Sequence, residues 1–190
     1  TVNPVSSSIF DLAGNVASTS QSNNSISLND KLGPTMTISS STVNSGETSN
    51  DSTISLTFTS SESTTNFIES DITISGGSLS NFSGSGTTYT ATLTPSGDAT
   101  YIISVAQSTF TDSSGNNNSA SNTFTWTYDS TSPTMTISSS TVNSGETSND
   151  STISLTFTSS ESTTNFIEDD ITISGGSLSN FSGSGTTYTA

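Results

Sequence analysis

Apolar residues in this chain fall on every second position in short runs, separated by stretches of Ser, Thr, Asn and Gly. The clearest run is Thr53-Ile-Ser-Leu-Thr-Phe-Thr59, where Ile54, Leu56 and Phe58 alternate with Ser and Thr and so give a β-strand one apolar face. The same period of two predicts strands at 35–39 (Met36 and Ile38 inward), 71–75, 87–94 (Tyr89, Ala91, Leu93), 99–105 (Tyr101, Ile103, Val105) and 122–128 (Phe124, Trp126, Tyr128). Residues 40–52 and 60–70 read as loops, and Pro95-Ser-Gly-Asp98 as a turn. Leu79 and Phe82 form a short apolar pair before Gly84-Ser-Gly86, whose glycines permit positive φ and a change of sheet. No helix is expected. About seven short one-faced strands in this span predict an all-β fold, an immunoglobulin-like sandwich with Greek-key wiring.

The pattern then starts again. Pro133 to Ala190 matches Pro34 to Ala91 at an offset of 99 residues, with one difference in 58 positions, Ser70 against Asp169. Upstream, Val5 to Asn15 resembles Val105 to Asn116 with one residue missing. Self-similarity at this spacing predicts tandem sandwiches, each on its own core and touching its neighbours end to end. Residues 1–30 read as the closing strands of a preceding repeat, 31–129 as a complete repeat, and 130–190 as the opening part of a third. The chain therefore reads as a window on a longer protein. Each seam has the form Asp, three residues, Pro: Asp30-Lys-Leu-Gly-Pro34 and Asp129-Ser-Thr-Ser-Pro133.

Composition changes this picture in only a few ways. A chain with 27% hydrophobic residues and a net charge of −15 looks disordered by its totals, but disordered chains lack ordered alternation. One basic residue, Lys31, against 16 acidic ones argues against nucleic acid or an anionic membrane as partner. There is no cysteine, so no disulfide staples the sandwich and the redox compartment is left open. No apolar run reaches the 18 residues of a membrane span, so no membrane insertion is expected within this segment. With no histidine and no nucleophile or phosphate-loop pattern, a non-enzyme is expected. A carboxylate pair such as Glu69 and Asp71 suits glycoside hydrolysis in principle, but the same acids have a simpler use.

That use follows from where the acids lie. On the Greek-key map Glu62, Glu69 and Asp71 border the loop after the second strand, Asp112 sits in the loop before the last strand, and Asp30 is in the seam, all at the upstream end. Glu47, Asp51 and Asp98 gather at the downstream end beside Asp129. Carboxylates gathered at a domain end repel one another unless a cation or solvent intervenes. Calcium, a hard ion taking six to eight oxygens, fits such a set, and Asp112-Ser-Ser-Gly-Asn116 supplies a carboxylate, a turning glycine and an amide within five residues. Asp11-Leu-Ala-Gly-Asn15 repeats it. The alternative is an ordinary Asx turn among acids that keep a surface soluble. Without His or Cys, zinc and copper are disfavoured.

Phe110-Thr-Asp-Ser-Ser-Gly-Asn116, Asp71-Ile-Thr-Ile-Ser-Gly-Gly77 ahead of Leu79-Ser-Asn-Phe82, Ser61-Glu62 and the Asp129-to-Pro133 seam together resemble the bacterial immunoglobulin-like repeats of very large surface adhesins and biofilm-associated proteins. The resemblance covers the whole chain. It implies an extracellular or cell-surface spacer in a long array, partnered by neighbouring repeats of the same chain; other copies in a fibre are partners only in the filament alternative below. It also implies junctions stiffened by calcium, with metal roles for Asp30, Glu62, Asp71, Asp112 and Asn116 in one repeat and Asp129, Glu161 and Asp170 in the next. The first seam departs from the pattern with Lys31-Leu-Gly where the second has Ser-Thr-Ser, and the Asp11 loop lacks the threonine before its aspartate. Two alternatives stand beside the spacer: a module binding glycan, ice or a partner protein, and a filament in which residues 1–30 of one chain complete the last repeat of another.

Overall fold

The computed structural model describes residues 11–16 and 29–190, and the chain divides into two compact units, Thr1–Ser130 and Thr131–Ala190. The first unit is a sandwich. One sheet holds β1 (Met36–Ser40), β3 (Ile54–Thr64) and β5 (Ser78–Thr94), antiparallel in the order β1-β3-β5. The other has the order β2-β7-β6-β4, from β2 (Glu47–Ser49), β4 (Ile72–Ile74), β6 (Ala99–Val105) and β7 (Phe124–Tyr128). The period-two residues of both sheets meet between them. Ile54, Leu56, Phe58, Leu93, Ile103 and Trp126 are fully or almost fully buried, and Phe67 places its ring against Phe58, Phe82, Tyr89 and Phe110 at centroid distances of 5.1–5.8 Å.

Three features depart from the pattern-based expectation. The expected loop 40–52 contains β2, which runs parallel to β7 with Glu47 opposite Trp126. It has no apolar alternation because it contributes main chain rather than core: Trp126 Nε1 donates to Ser49 Oγ over 3.0 Å, and Gly46 N donates to the Thr125 carbonyl. β3 runs to Thr64, past its last apolar residue, so Glu62 lies on a strand and not in a loop. The apolar pair Leu79 and Phe82 and the strand at 87–94 form one strand-like run, β5, which doubles back on itself. Asn81 bonds Thr92, Ser83 bonds Thr90, and a Cβ on Gly84 (φ 139°) would meet the Thr88 carbonyl at 2.3 Å.

Corners are fixed by polar groups. The hydroxyl of Tyr101 donates to the Gly97 carbonyl over 2.7 Å and accepts from the amides of Ser96 and Gly97, locking the turn between β5 and β6 in the manner of a tyrosine corner. The side chain of Asn122 acts as a piece of strand: its Oδ1 accepts from Ile38 N and its Nδ2 donates to Ile38 O, closing the open edge of β1.

The second unit has a three-stranded sheet in the order β10-β9-β8, from β8 (Met135–Ser139), β9 (Leu155–Thr163) and β10 (Ser182–Thr189). Its registers repeat those of the first unit: Ile137 faces Phe157 as Ile38 faces Phe58. The aromatic cluster recurs as Phe157, Phe166, Phe181 and Tyr188. Among the described residues of this unit, the segments matching β2 and β4 take no strand. Those two elements are made by pairing with β6 and β7, which have no counterpart in residues 131–190.

Candidate functional site

The upstream end of the first unit is built around one loop. From Phe110 to Asn118 the chain is held by the buried side chain of Asn118, whose Oδ1 accepts from the amides of Thr109 and Phe110 while its Nδ2 donates to the carbonyls of Ala106 and Ser119. Inside that frame Asp112 makes an Asx turn. Its Oδ1 accepts from the amides of Ser114 and Asn116, each over 2.8 Å, and its Oδ2 from Asn116 Nδ2 over 2.8 Å, with Gly115 at φ 85°. Asp11 to Asn15 makes the same set of bonds, with Gly14 also at φ 85°.

Two further contacts bring other acids to this loop. Asp112 forms a β-bridge with Thr64 at the end of β3, which sets it beside Glu62, two residues earlier on the same face. The seam lies against the loop as well. Asn116 Nδ2 approaches the carbonyls of Asp30 and Leu32 at 3.3 Å, Ser119 N donates to the Pro34 carbonyl, and a Cβ on Gly33 would stand 2.0 Å from the Asn117 carbonyl oxygen. The outcome is a cluster of Asp30 (exposed), Glu62 (half-buried) and Asp112 (buried), with one carboxylate oxygen of each within 4.8 Å of the others.

Electrostatics register the crowding. The Glu62 carboxyl is pushed up, first by burial and then by the charges of Asp30 and Asp112. Burial also acts to raise Asp112, but the hydrogen bonds from Asn116, Ser114 and Gly115 outweigh it and hold this carboxyl below the ordinary 3.8. The same turn, led by the Asn15 side chain, holds Asp11 down. Two oxygens that each lie about 2.4 Å from one calcium are at most about 4.8 Å apart; the three carboxylates meet that condition pairwise, and the donor set is all oxygen, the kind a hard cation takes. Seam, strand and loop would all be joined by it.

The other acids named from sequence sit elsewhere. Asp71 caps a one-turn 3-10 helix, Glu69–Asp71, its Oδ2 accepting from Ile68 N over 2.9 Å, and Asp170 does the same for Ile167 in the second unit. Neither joins the cluster. Asn116 directs its amide nitrogen at Asp112 and the seam, so it positions a carboxylate. Asp129 follows β7, with its amide on the Ser49 carbonyl, and Glu161 lies on β9. At the downstream end Asp98 Oδ1 accepts from the amide and hydroxyl of Ser130. The sequence reading missed Asn66 and Asn118, whose amides hold the loop.

Residues 30–128 and 129–190 each match the family model of the bacterial Ig-like domain. The chain belongs to that family. No curated protein matches it. The expected resemblance and the all-β Ig-like fold are thereby shown, and the bacterial Ig-like domain bounded at Asp30 carries its acidic cluster at the end where the preceding residues arrive. Among the described residues no helix is long and apolar enough to cross a membrane.

Proposed function

We propose that this chain is a non-enzymatic structural repeat of an extracellular, cell-surface array, and that calcium bound by Asp30, Glu62 and Asp112 locks each Ig-like domain to the chain segment that leads into it. The carrying observation is the convergence of one carboxylate from the seam, one from β3 and one from the Asp112 loop within 4.8 Å. These belong to elements far apart in sequence, and only the seam acid lies outside the sandwich, so a shared ion acts on the hinge and leaves the core as it is. A carboxylate cluster of this charge prefers a divalent oxygen-seeking ion over a monovalent one. The absence of histidine removes the usual general base, which supports a mechanical role over a catalytic one.

Binding at the affinity of extracellular calcium modules, about 10⁻⁴ to 10⁻³ M, stabilises the folded state by roughly 1–2 kcal/mol at about 2 mM ion. For a domain of this size that is a rise of roughly 5–10 °C in Tm. Thermal melts of the chain in calcium and in chelator test it. The rise is expected in calcium, smaller in magnesium, and absent from Asp112→Asn. Equal melting with and without calcium, together with no calcium uptake by calorimetry, would remove the ion from this reading.

A further inference from the structure

Among the described residues the buried polar side chains are Ser60, Thr64, Asp112, Asn118 and Ser159. All but one put their side-chain oxygens to use. Asp112 and Asn118 hold the upstream loop, Thr64 Oγ1 donates to Asn66 Oδ1 over 3.0 Å, and Ser159 Oγ accepts from Glu161 N over 3.4 Å. Ser60 is the exception. It is 3% exposed, and its Oγ has no hydrogen-bond partner among the described residues. An orphaned buried hydroxyl is costly, and alanine would fill the same position without that cost.

Its place on β3 gives the hydroxyl a use. Side chains two apart on a strand share a face, and burial alternates along β3 out to Thr64, so Phe58, Ser60, Glu62 and Thr64 all lie on the inner face. Ser60 is therefore the step between the apolar core at Phe58 and the acidic cluster at Glu62. The chain leaving the seam is pinned at the same level: Met36 stands opposite Ser60, Thr35 N donates to Ser61 Oγ, and Ser61 N donates to the Thr35 carbonyl. In the second unit the matching hydroxyl, Ser159, turns along its strand to the amide of Glu161, the counterpart of Glu62, which shows the direction in which a serine at this position reaches. We propose that Ser60 Oγ is the inner oxygen of the cation site, a neutral ligand on the core side of the ion held by Asp30, Glu62 and Asp112. This rests on the cation reading above and adds to it a ligand of a different kind. Three carboxylates leave an ion that takes six to eight oxygens short of donors, and a hydroxyl supplies one more without a fourth mutually repelling charge. The same ligand bears on the choice of ion. Magnesium gives up its water reluctantly, whereas calcium accepts protein oxygens in flexible geometry, so a ligand sealed from solvent favours calcium.

The test is calorimetry of the 190-residue chain with calcium and with magnesium, following the uptake that Asp112→Asn removes, beside thermal melts in chelator. Ser60→Ala is expected to weaken calcium binding about tenfold and magnesium binding by less. Its melting temperature in chelator is expected to stay level or rise, because an unpaired buried hydroxyl has gone. Ser63→Ala, exposed on the outer face of the same strand, is expected to leave both measurements unchanged. Ser60→Cys gives a direct readout: the chain has no cysteine, so thiolate-to-cadmium absorption in the ultraviolet arises only if the ion touches position 60. Calcium uptake that is the same in Ser60→Ala and the unsubstituted chain overturns the role of Ser60 and leaves the cation reading standing, and so does cadmium uptake by Ser60→Cys without that absorption. A lower melting temperature of Ser60→Ala in chelator, with calcium affinity unchanged, assigns the hydroxyl to the fold alone and likewise overturns the proposal. No calcium uptake by the unsubstituted chain removes the cation reading, and the role of Ser60 with it.

Discussion

Gly33 shows how much a single atom decides at the upstream end. A Cβ there would stand 2.0 Å from a backbone oxygen of the Asp112 loop, and backbone cannot swing aside as a side chain does. Gly33→Ser, which installs the residue found at the matching position Ser132, is expected to cost about 1–3 kcal/mol, read as a lower Tm of the first unit. It is also expected to weaken calcium uptake, because the seam must lift off the loop that holds Asp112. Glu62 supplies the pH dependence. Its folded value is raised, so its contribution to the ion-free fold is complete below the ordinary 4.5 and is lost as pH rises through the raised value. Asp112 runs the other way: its contribution is present above 3.8 and lost as pH falls through its lowered value. Calcium needs both as carboxylates, so the calcium-induced rise in Tm is expected to grow from about pH 4.5 to a plateau near neutrality. An increment that stays flat across that range would count against Glu62 as a ligand. At this scale the sequence was legible for the acids, since Asp30, Glu62 and Asp112 stand out among outward residues that are mostly Ser and Thr. It was not legible for Asn66, Asn118 and Asn122, because an amide that holds the main chain by hydrogen bonds reads the same in sequence as the many others around it.

Strands were legible wherever they carry core residues and illegible wherever they carry only main chain. β1, β6 and β7 follow their alternation closely, while β2 is a polar Glu-Thr-Ser visible only through its partner β7. The extension of β3 past Phe58 and the reversal inside β5 were missed for a related reason, since Ser and Thr on the outer face look alike in strand and loop. Trp126 is the point where core and main chain meet: fully buried, flanked by the rings of Tyr101 and Tyr128 at 5.7 Å, and bonded to β2 through its indole N–H. Trp126→Ala is expected to destabilise the first unit by about 3–5 kcal/mol and to release β2, seen as lost amide protection at Glu47–Ser49. Trp126→Phe keeps the ring packing and lacks the indole donor, so it is expected to cost less while still loosening β2. Equal protection of β2 in all three proteins would mean that its pairing does not depend on the tryptophan.

Across the whole molecule, charge outweighs any single contact. A net charge of −15 with a single lysine gives self-repulsion that monovalent salt relieves only by screening. Raising sodium chloride to about 0.15 M, where the screening length is about 8 Å, is expected to lift the Tm of the first unit modestly. Calcium at a few millimolar is expected to exceed that gain at matched ionic strength; if the two salts act alike at equal ionic strength, the effect is screening and no ion is held. The pairing of β2 with β7 has a kinetic side. Glu47 meets Trp126, so the second sheet cannot close until nearly the whole repeat has been synthesised. Until then each emerging repeat exposes the same receptive sheet as its neighbour, and a freshly made β6–β7 pair has two chemically equal docking sites on one chain. The tether breaks the tie. Only four residues, Pro95 to Asp98, separate β6 from β5 of its own sandwich, so local concentration favours the correct choice. Lengthening that turn would slow the search and let neighbouring repeats exchange strands, so the short corner held by Tyr101 is where an array of near-identical domains keeps its members separate.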